Sequence, residues 1–413
     1  MLSVEQIVTG GLCIGCGLCR SIAGGERIKI VMTPEGRERP VVALPLDEAT
    51  LRRINAVCPG TRIDGATSAP HPLDDLIWGP AELLAVGHAG DPHVRHRGSS
   101  GGVLTALGQF ILQSGRAEFI VHVGAAGGAP MRTERRVSYD AQAVLEGAGS
   151  RYGPAAPLID FLEVLEQERP FALIAKPCDV DAVRNLAKID RRVDRYMRYA
   201  LAMVCGGASD LGKSTGVLDE YGIREDEVAM FRYRGCGNPG PTRIETKDGR
   251  VVELSYQEMW AAESTWRIQA RCKVCPNAIG ESSDLTASDV WPGGAPAGDD
   301  AGYNGIIVRT ARGLELYRAA LAAGVIIAVP QEVGFRDFDE YQPHQVRKKR
   351  AVWARLAGLR AAGYPVPDIH GLRLKACARL NSLAENLAEA RGSRVRADAG
   401  AWGEAQAAAM AQS

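Results

Sequence analysis

The sequence predicts a mixed α/β fold, α+β over the whole chain, and three observations support that prediction. Between about residues 81 and 330, apolar β-prone runs alternate with helical patterns, which favours a sheet with some parallel strands. A short segment before this region carries closely spaced cysteines, and after about residue 335 the chain is basic and helical. We therefore predict a small cysteine-rich module at 1–65, a central mixed α/β domain at 81–335 and a helical C-terminal extension at 336–413.

Local patterns predict the individual elements. Apolar β-prone runs predict strands at 83–88, 119–123, 171–175, 200–204 and 306–309, and helical periodicity predicts helices at 103–113, 158–167 and 314–322. Asp248-Gly249 between two β-prone runs predicts a hairpin over 242–254. Residues 69–80, rich in Pro, Ala and Asp, are predicted to be a linker. Further helices are predicted at 346–362 and 372–391, before a frayed alanine-rich tail.

Composition and charge narrow the class of protein. The chain is 46% hydrophobic and 24% charged, which is typical of a globular protein, and its 49 basic and 49 acidic residues cancel. Bulk charge therefore indicates neither a nucleic-acid nor a membrane-surface partner. Because no apolar run has membrane-spanning length and residues 1–10 lack a signal-peptide pattern, we expect a cytoplasmic protein. In a reducing compartment, clustered cysteines indicate metal binding or catalysis, and this chain has ten cysteines.

The first cysteine group is Cys13, Cys16 and Cys19, spaced C-x2-C-x2-C, together with Cys58 directly before a proline. Bacterial ferredoxins bind a [4Fe-4S] cluster with such a run and a Cys-Pro, because closely spaced thiolates wrap one face of the cluster. Ala23 occupies the position of the further cysteine of two-cluster ferredoxins, so we predict one cluster in this ferredoxin-like module. The alternative is zinc, although zinc sites usually pair two separated C-x2-C knuckles.

A second cysteine group is less complete. Cys272 and Cys275 form one C-x2-C pair, and Cys178 and Cys205 each follow a predicted strand. Open α/β sheets gather ligands at the carboxyl ends of strands, so these four thiolates are candidates for a second [4Fe-4S] cluster. The alternative is that the two isolated cysteines are small apolar core residues. Cys377, in a helical stretch, is predicted to be a packing residue.

Three glycine-rich loops, 98–102, 149–154 and 234–242, suit a close approach of the backbone to a cofactor. The first loop precedes a predicted helix, whose free amides and dipole attract phosphate or pyrophosphate. A serine N-cap with a glycine turn is the alternative for this loop. The glycine-rich loops therefore predict a phosphate-bearing cofactor without identifying it.

Residues 207–214 match the P-loop pattern G-x-x-x-x-G-K-[ST], which makes a P-loop NTPase an alternative from a different class. Asp210 would place a carboxylate among the phosphate oxygens, and no apolar strand ends in the Asp expected to help hold Mg²⁺. A P-loop would also leave the cysteines unexplained. We therefore rank this alternative last.

The ordered set of motifs resembles the beta-subunit family of coenzyme F420 (deazaflavin) hydrogenases and dehydrogenases. Relatives of that family include the ferredoxin-dependent chlorophyll-pathway reductases, namely divinyl chlorophyllide 8-vinyl reductase and 7-hydroxymethyl chlorophyll reductase. The resemblance extends from Cys13 to about Arg350. Its motifs are C-x2-C-G-x-C at 13–19, Ser-Gly-Gly at 100–102, Gly-Ser-x-Tyr at 149–152, Pro-Cys at 177–178, Cys-Gly at 205–206, Tyr-Arg-Gly-x-Gly-x-Pro-Gly at 233–240 and C-x2-C at 272–275.

The resemblance implies two [4Fe-4S] clusters and FAD as cofactors, with Cys178, Cys205, Cys272 and Cys275 holding the second cluster. The residues implied to lie near FAD are Gly98, Ser99, Ser100, Gly101, Gly102, Ser150, Tyr152, Arg234, Gly235, Asn238, Gly240 and Thr242. Three departures from the family pattern concern the substrate pocket. Asn238 replaces a common Trp, Cys236 stands at a variable position, and 289–291 (Asp-Val-Trp) only approximates Gly-Asp-x-Trp.

The resemblance implies a ferredoxin-dependent FAD and iron–sulfur reductase. Reduced ferredoxin, or a similar one-electron donor, would pass electrons to a conjugated or aromatic organic substrate, with a chlorophyllide-type tetrapyrrole as the leading candidate. The alternative is an electron-transfer beta subunit that reduces deazaflavin, working with a partner redox subunit or as a homo-oligomer. An exposed apolar patch on the C-terminal helices would favour this alternative. Candidate proton donors are His88, His96, Tyr152 and Cys236.

Overall fold

The computed structural model describes residues 1–65, 71–262 and 265–405. Its strands are β1 (Ile28–Met32), β2 (Glu38–Val42), β3 (Arg62–Asp64), β4 (Leu83–Ala89), β5 (Phe119–Ala126), β6 (Ala129–Ser138), β7 (Phe171–Ala175), β8 (Met197–Met203), β9 (Val228–Arg232), β10 (Thr242–Thr246), β11 (Val251–Leu254), β12 (Leu285–Asp289), β13 (Asn304–Val308), β14 (Ile326–Ala328) and β15 (Asp368–His370). Its helices are α1 (Val4–Thr9), α2 (Leu18–Ala23), α3 (Glu48–Val57), α4 (Pro92–Arg97), α5 (Val103–Gln113), α6 (Ala141–Glu146), α7 (Phe161–Glu166), α8 (Pro177–Ala187), α9 (Arg192–Tyr196), α10 (Gly212–Glu220), α11 (Tyr256–Trp260), α12 (Ala270–Lys273), α13 (Ala311–Ala322), α14 (Phe335–Tyr341), α15 (Pro343–Ala361), α16 (Leu374–Ala378) and α17 (Leu383–Asp398).

A mixed sheet of eight strands forms the centre of the described residues, in the order β14-β4-β13-β12-β8-β7-β5-β6. Strands β5, β7, β8 and β12 run parallel to one another, and the strands toward both edges pair antiparallel. Helices α5 and α13 cover one face of the sheet, and α7, α8 and α9 cover the other. The predicted mixed α/β fold with a helical C-terminal region is confirmed.

Strand β5 shows why the central strands appear as continuous apolar runs. Phe119 and Val121 pack with the core on the α7 and α8 side, whereas Ile120 packs with the core that contains α5. A strand covered on both faces needs apolar residues at successive positions, so alternation with polar residues is lost. Predicted strand 171–175 coincides with β7, and predicted helix 103–113 coincides with α5.

The N-terminal module and the C-terminal end of the described chain pack together. Strand β15 pairs in parallel with β3, and the indole N–H of buried Trp402 donates to the Gly10 carbonyl oxygen (3.2 Å). The guanidinium of Arg39 and the carboxylate of Glu404 are buried 2.5 Å apart. The C-terminal extension therefore lies against the first module, and the domain limits at 65, 81 and 335 stay predictions.

Elements that the sequence did not predict carry polar residues. Strand β6 is an edge strand with charged side chains along it, which disguise its β character. Helix α8 begins with Pro177 and buries Asp179, Asp181 and Asn185, so its polar residues do not mark a solvent face. Strand β12 likewise buries Thr286 and Ser288. In each case the tertiary environment outweighs the local pattern.

Two predictions near the C-terminal helices are wrong. The predicted continuous helix 372–391 is divided into α16 and α17, because Ser382 caps the second helix by accepting from the Glu385 amide (3.2 Å). The predicted linker lies partly outside the described residues. Residues 72–74 are exposed, but residues 77–79 are buried: Trp78 packs against Phe338, and its indole N–H donates to Asp339 (2.8 Å), so this end of the segment is part of the core.

The predicted frayed tail falls, from residue 406 onward, outside the described residues. Within the described ranges, no helix combines the length and the apolar character needed to cross a membrane.

A buried ionic cluster attaches the C-terminal helices to the loop after Cys275. The Glu281 carboxylate contacts Lys349 of α15 (2.6 Å) and Arg373 before α16 (2.5 Å). Lys349 also donates to the Pro276 carbonyl oxygen (2.8 Å). Burial would raise the pKa of Glu281, but the charges of Lys349 and Arg373 outweigh it and lower that pKa below its usual value. The cluster therefore depends on an ionised carboxylate.

We expect Glu281→Gln to destabilise the protein by about 3–5 kcal/mol, because it leaves two cations beside a neutral amide in a buried position. The midpoint of thermal unfolding measures this loss. Glu48→Gln is the matched control, since Glu48 forms an exposed pair with Arg52 (2.6 Å), and it should leave the midpoint nearly unchanged. Equal midpoints for the two variants would contradict the role given to Glu281.

Candidate functional site

Four thiols of the N-terminal module line one cavity of about 460 Å³. We call this set the first cage: Cys13, Cys16, Cys19 and Cys58. The first two lie between α1 and α2, the third lies in α2, and the fourth ends α3. Much of the remaining wall is apolar and includes Val4, Ile7, Ile54 and Val57. The cysteine run and the remote Cys-Pro of the sequence therefore meet around a single space.

Glycines allow the backbone of the first cage to approach its sulfurs. Gly15 and Gly17 adopt φ angles of 73° and 86°, a region that residues with side chains avoid. The Gly15 amide donates to Cys13 Sγ (3.3 Å), and a Cβ at Gly15 would lie 2.6 Å from the Glu38 carbonyl oxygen. Amides directed at sulfur are among the groups that set iron–sulfur reduction potentials.

A second set of four thiols, Cys178, Cys205, Cys272 and Cys275, lines a cavity of about 400 Å³, and we call it the second cage. Cys178 lies in the first turn of α8, shortly after β7, and Cys205 lies two residues after β8. Because β7 and β8 are neighbouring parallel strands, their carboxyl ends bring both thiols to the same sheet edge. Cys272 lies in α12 and Cys275 lies two residues after it, and the Ala208 amide donates to Cys272 Sγ (3.4 Å).

The donor sets of both cages suit a cluster that brings its own positive charge. Burial raises the pKa of Cys13 and of Cys205 to about 11. Burial also raises the pKa of other cage thiols, namely Cys16, Cys19, Cys58, Cys178 and Cys272. Buried thiolates therefore need a compensating cation, which iron would supply.

The spacing of the thiols bears on the zinc alternative. In the part of the chain that the structure describes, no three His, Cys, Asp or Glu side chains converge on a position for one metal ion. A zinc site needs its sulfurs about 2.3 Å from a single ion. A cubane cluster instead places an iron between each sulfur and the centre, so its ligands stand farther apart around a cavity. Metal ligation at both cages stays a prediction.

The two cages are neighbours. Ile14 lines the cavities of both. The buried Arg39 guanidinium, whose charge acts on Cys13 of the first cage, donates to Oε1 of Gln269 (2.9 Å), which lines the second cavity. Lys176 also lines the second cavity, and its Nζ lies 2.7 Å from Asp179 Oδ2. The Ile14 side chain and the Arg39–Gln269 hydrogen bond thus connect the two cavities.

The three glycine-rich loops also meet in space. The Ser150 amide donates to Ser99 Oγ (2.6 Å). The Arg234 guanidinium donates to the Ser99 carbonyl oxygen (2.5 Å) and to the Tyr152 hydroxyl (3.0 Å). All three loops therefore contribute to a single hydrogen-bonded group, the second loop through both Ser150 and Tyr152. The structure brings together the residues implied for FAD, and FAD binding stays a prediction.

The second cage adjoins these loops. The segment after Cys205 continues to Ser209, whose amide and hydroxyl both lie 3.1 Å from the Tyr152 carbonyl oxygen. The hydroxyl of the same tyrosine accepts from Arg234. The first cage, the second cage and the glycine-rich loops are therefore a row of neighbouring sites.

Asp289 and Trp291, which the sequence marked only as an approximate motif, complete the surroundings of Arg234. The guanidinium lies 3.2 Å from the Asp289 carboxylate and 4.6 Å from the centre of the Trp291 ring. The Trp291 indole N–H donates to Asn238 Oδ1 (3.3 Å), and the Asn238 amide donates to Asp300 (2.9 Å). Asn238 stands where the family pattern commonly has Trp, and its side chain is held in place by the nearby Trp291. A guanidinium held between a carboxylate and an aromatic ring has little freedom to move.

Internal packing accounts for part of the first glycine-rich loop. A Cβ at Gly101 would lie 2.7 Å from the Asn304 amide nitrogen. The Val103 amide, expected to be free for a phosphate, donates to Asn304 Oδ1 (3.1 Å). Gly102, with φ 74°, is the N-cap of α5, so the serine N-cap alternative is wrong. The helix start therefore offers fewer free amides than the sequence predicts.

The P-loop alternative is also wrong. The Asp210 carboxylate accepts from the Gly212 amide at the start of α10 (2.9 Å), the position that a phosphate would take. The Ser214 hydroxyl is buried against the Tyr233 hydroxyl (2.9 Å) rather than available to a metal ion. Gly207, at the start of the motif, lines the second cage.

The candidate proton donors have different surroundings. His96 is exposed on α4, and His88 Nδ1 lies 2.8 Å from a neighbouring backbone carbonyl oxygen on β4. Cys236 Sγ accepts from the Arg232 guanidinium (3.3 Å). Tyr152 and Cys236 lie within the glycine-rich loops, whereas the two histidines lie on adjoining elements. A role in proton transfer stays a prediction for all four.

Two family models match the chain. Residues 84–163 match coenzyme F420 hydrogenase/dehydrogenase, beta subunit N-term, and residues 168–333 match the C terminus of the same beta subunit. Together the two matches cover more than half of the chain and include the glycine-rich loops and the second cage.

Individual relatives are more distant. The chain is 24% identical to the beta subunit of F420-dependent formate dehydrogenase 1 of Methanococcus maripaludis, over 58% of this chain and 59% of that subunit. It is 24% identical to the coenzyme F420-dependent sulfite reductase of Methanocaldococcus jannaschii, over 54% of this chain and 34% of that protein. The chain thus spans about three fifths and one third of these relatives.

A chain of the F420-reducing [NiFe] hydrogenase complex from Methanosarcina barkeri shares the fold. It superposes with a TM-score of 0.50 and 18% identity, over 67% of this chain and 95% of that chain. The two family models, which together match more than half of the chain, show that it belongs to the coenzyme F420 hydrogenase/dehydrogenase beta-subunit family.

Proposed function

We propose that this chain is an iron–sulfur flavoprotein subunit that exchanges hydride with a deazaflavin coenzyme and single electrons with a redox partner. The row of neighbouring sites carries the proposal: first cage, second cage, glycine-rich loops. In the proposal each cage holds a [4Fe-4S] cluster and the loops hold FAD. The clusters would supply one-electron transfer, and the flavin would convert between single electrons and hydride.

The chain's own groups have distinct roles in this proposal. The eight cage thiolates bind iron, and the Gly15 and Ala208 amides stabilise charge on sulfur. The Arg39–Gln269 pair keeps the two cages at a fixed separation. Arg234, paired with Asp289, holds the glycine-rich loops together. The residues thus position the carriers relative to one another.

The relatives support deazaflavin as the hydride carrier. The formate dehydrogenase and the sulfite reductase are each named as F420-dependent. The proposal therefore places a deazaflavin at the flavin instead of a chlorophyllide-type tetrapyrrole. Reduced ferredoxin becomes one member of the class of one-electron partners rather than the required donor.

The surface supports a role as a subunit. Leu383 and Leu387 on α17 are 75% and 57% exposed, and Val395 on the same helix is 58% exposed. Large apolar side chains gathered on one exposed helix are typical of an association surface. Such a patch on the C-terminal helices favours a subunit over a self-contained reductase.

Metal analysis tests the two cages. Anaerobically purified protein should contain about eight irons and eight sulfides per chain, four for each cluster. Cys178→Ala should lose about half of the iron. Cys377→Ala is the control and should lose none, because the Cys377 thiol is buried outside both cages and donates to the Leu76 carbonyl oxygen (3.1 Å). Unchanged iron in Cys178→Ala would remove the second cluster from the proposal.

Flavin content tests the loops. Ser150→Tyr should expel FAD and leave the iron content intact, because a bulky side chain would enter the space where the three loops meet. Ser114→Tyr, at the exposed end of α5, is the matched control and should retain FAD. The measurement is flavin released on denaturation. Wild-type FAD content in Ser150→Tyr would contradict FAD binding at the three loops.

Stopped-flow absorbance spectroscopy tests the overall function. Reduced deazaflavin should reduce the bound flavin and abolish its visible absorbance, whereas NADPH should not. Cys178→Ala should keep this reduction but slow electron transfer to methyl viologen by at least about 10-fold, the scale on which even outer-shell changes act. Rapid reduction by NADPH and none by deazaflavin would contradict the proposal. Transfer at the wild-type rate in Cys178→Ala would show that the second cage lies outside the electron path.

A further inference from the structure

Positive side chains gather at the outer edge of the second cage. Lys348 of α15 lines its cavity, and Lys348 Nζ donates to the Gly206 carbonyl oxygen (3.4 Å). Lys273 is exposed between the third and fourth cage cysteines, and Arg396 of α17 is near enough for its charge to act on Lys273. We call Lys273, Lys348 and Arg396 the basic rim.

The charge of the basic rim is not cancelled locally. Neighbouring Arg355 is paired with Glu389 (2.7 Å). The three rim cations have no carboxylate within salt-bridge distance among residues 1–65, 71–262 and 265–405. The rim is therefore a region of positive potential.

This potential lies at the second cage, the middle site of the row. The chain as a whole has 49 basic and 49 acidic residues, so a local excess of positive charge is an asymmetry that can steer a partner. The first cage has a largely apolar wall instead, which includes Val4, Ile7, Ile54 and Val57. The second cage also adjoins the glycine-rich loops through the contact of Ser209 with Tyr152.

We propose that a one-electron carrier protein with an acidic surface docks on the basic rim and exchanges electrons at the second cage. This inference rests on the proposed function, because it needs a cluster in that cage. Two carrier molecules are each oxidised by one electron. These two electrons and one proton from solvent make up the hydride that reduces the deazaflavin. Ile14 lines both cavities, so a cluster in the first cage would lie close enough to hold the additional electron between the two encounters.

The association rate of a plant-type ferredoxin, an acidic [2Fe-2S] carrier, tests this docking on the intact protein. At low ionic strength, Lys273→Glu/Arg396→Glu should slow association about 10-fold, and added salt should slow the wild type toward the rate of the variant. Lys247→Glu/Arg250→Glu makes the same change of charge at the exposed β10-β11 turn and is the matched control. It should associate at the wild-type rate.

Iron content separates failure of the docking from failure of the proposed function. Arg396→Glu alone changes α17 and no residue of the cysteine loop, so it should keep about eight irons and still slow association. Equal association rates for the rim variant and the control, with iron retained in both, would overturn the docking alone. A wild-type chain without iron in the second cage would overturn the proposed function, and iron analysis reveals it before any carrier is added.

Discussion

The parallel pairing of β7 and β8 is the constraint on which the functional arrangement depends. Both strands end at the same edge of the sheet, so Cys178 and Cys205 stand side by side although 26 residues of sequence lie between them. The loop with Cys272 and Cys275 comes to that edge, and the buried Glu281 cluster holds the loop against α15. Without this pairing there would be no second cavity between the first cage and the glycine-rich loops.

Burial makes ionisation of the cage thiols unfavourable, and this explains why buried cations lie near them. Buried cysteines stay neutral unless positive charge is near, and their pKa values are raised accordingly. Arg39 and Lys176 lie between the cages, each with an acidic partner, Glu404 and Asp179 respectively. Each cation places positive charge near the cage thiols, and its carboxylate partner prevents it from being an isolated buried ion. An iron cluster would supply the rest, so cluster assembly and folding should be coupled.

The two exposed surfaces of the C-terminal helices differ in chemistry. Leu383 and Leu387 present apolar area, which suits a lasting contact between subunits. The basic rim presents charge beside a redox site, which suits brief encounters that depend on salt. A subunit that converts hydride to single electrons needs both kinds of contact, one to join its complex and one to exchange electrons.

Sequence alone determined the features that depend on nearby residues. The spacing of Cys13, Cys16 and Cys19 forces three thiols together in any fold, and the dense apolar runs of α5 and β7 specify buried elements. Only the tertiary structure decided that Arg234 meets Asp289 and that Arg39 meets Glu404. It also decided that Asp210 blocks a P-loop and that Trp78 belongs to the core. The physical reason is that spacing encodes contacts along the chain, whereas strand pairing and burial determine contacts between distant segments.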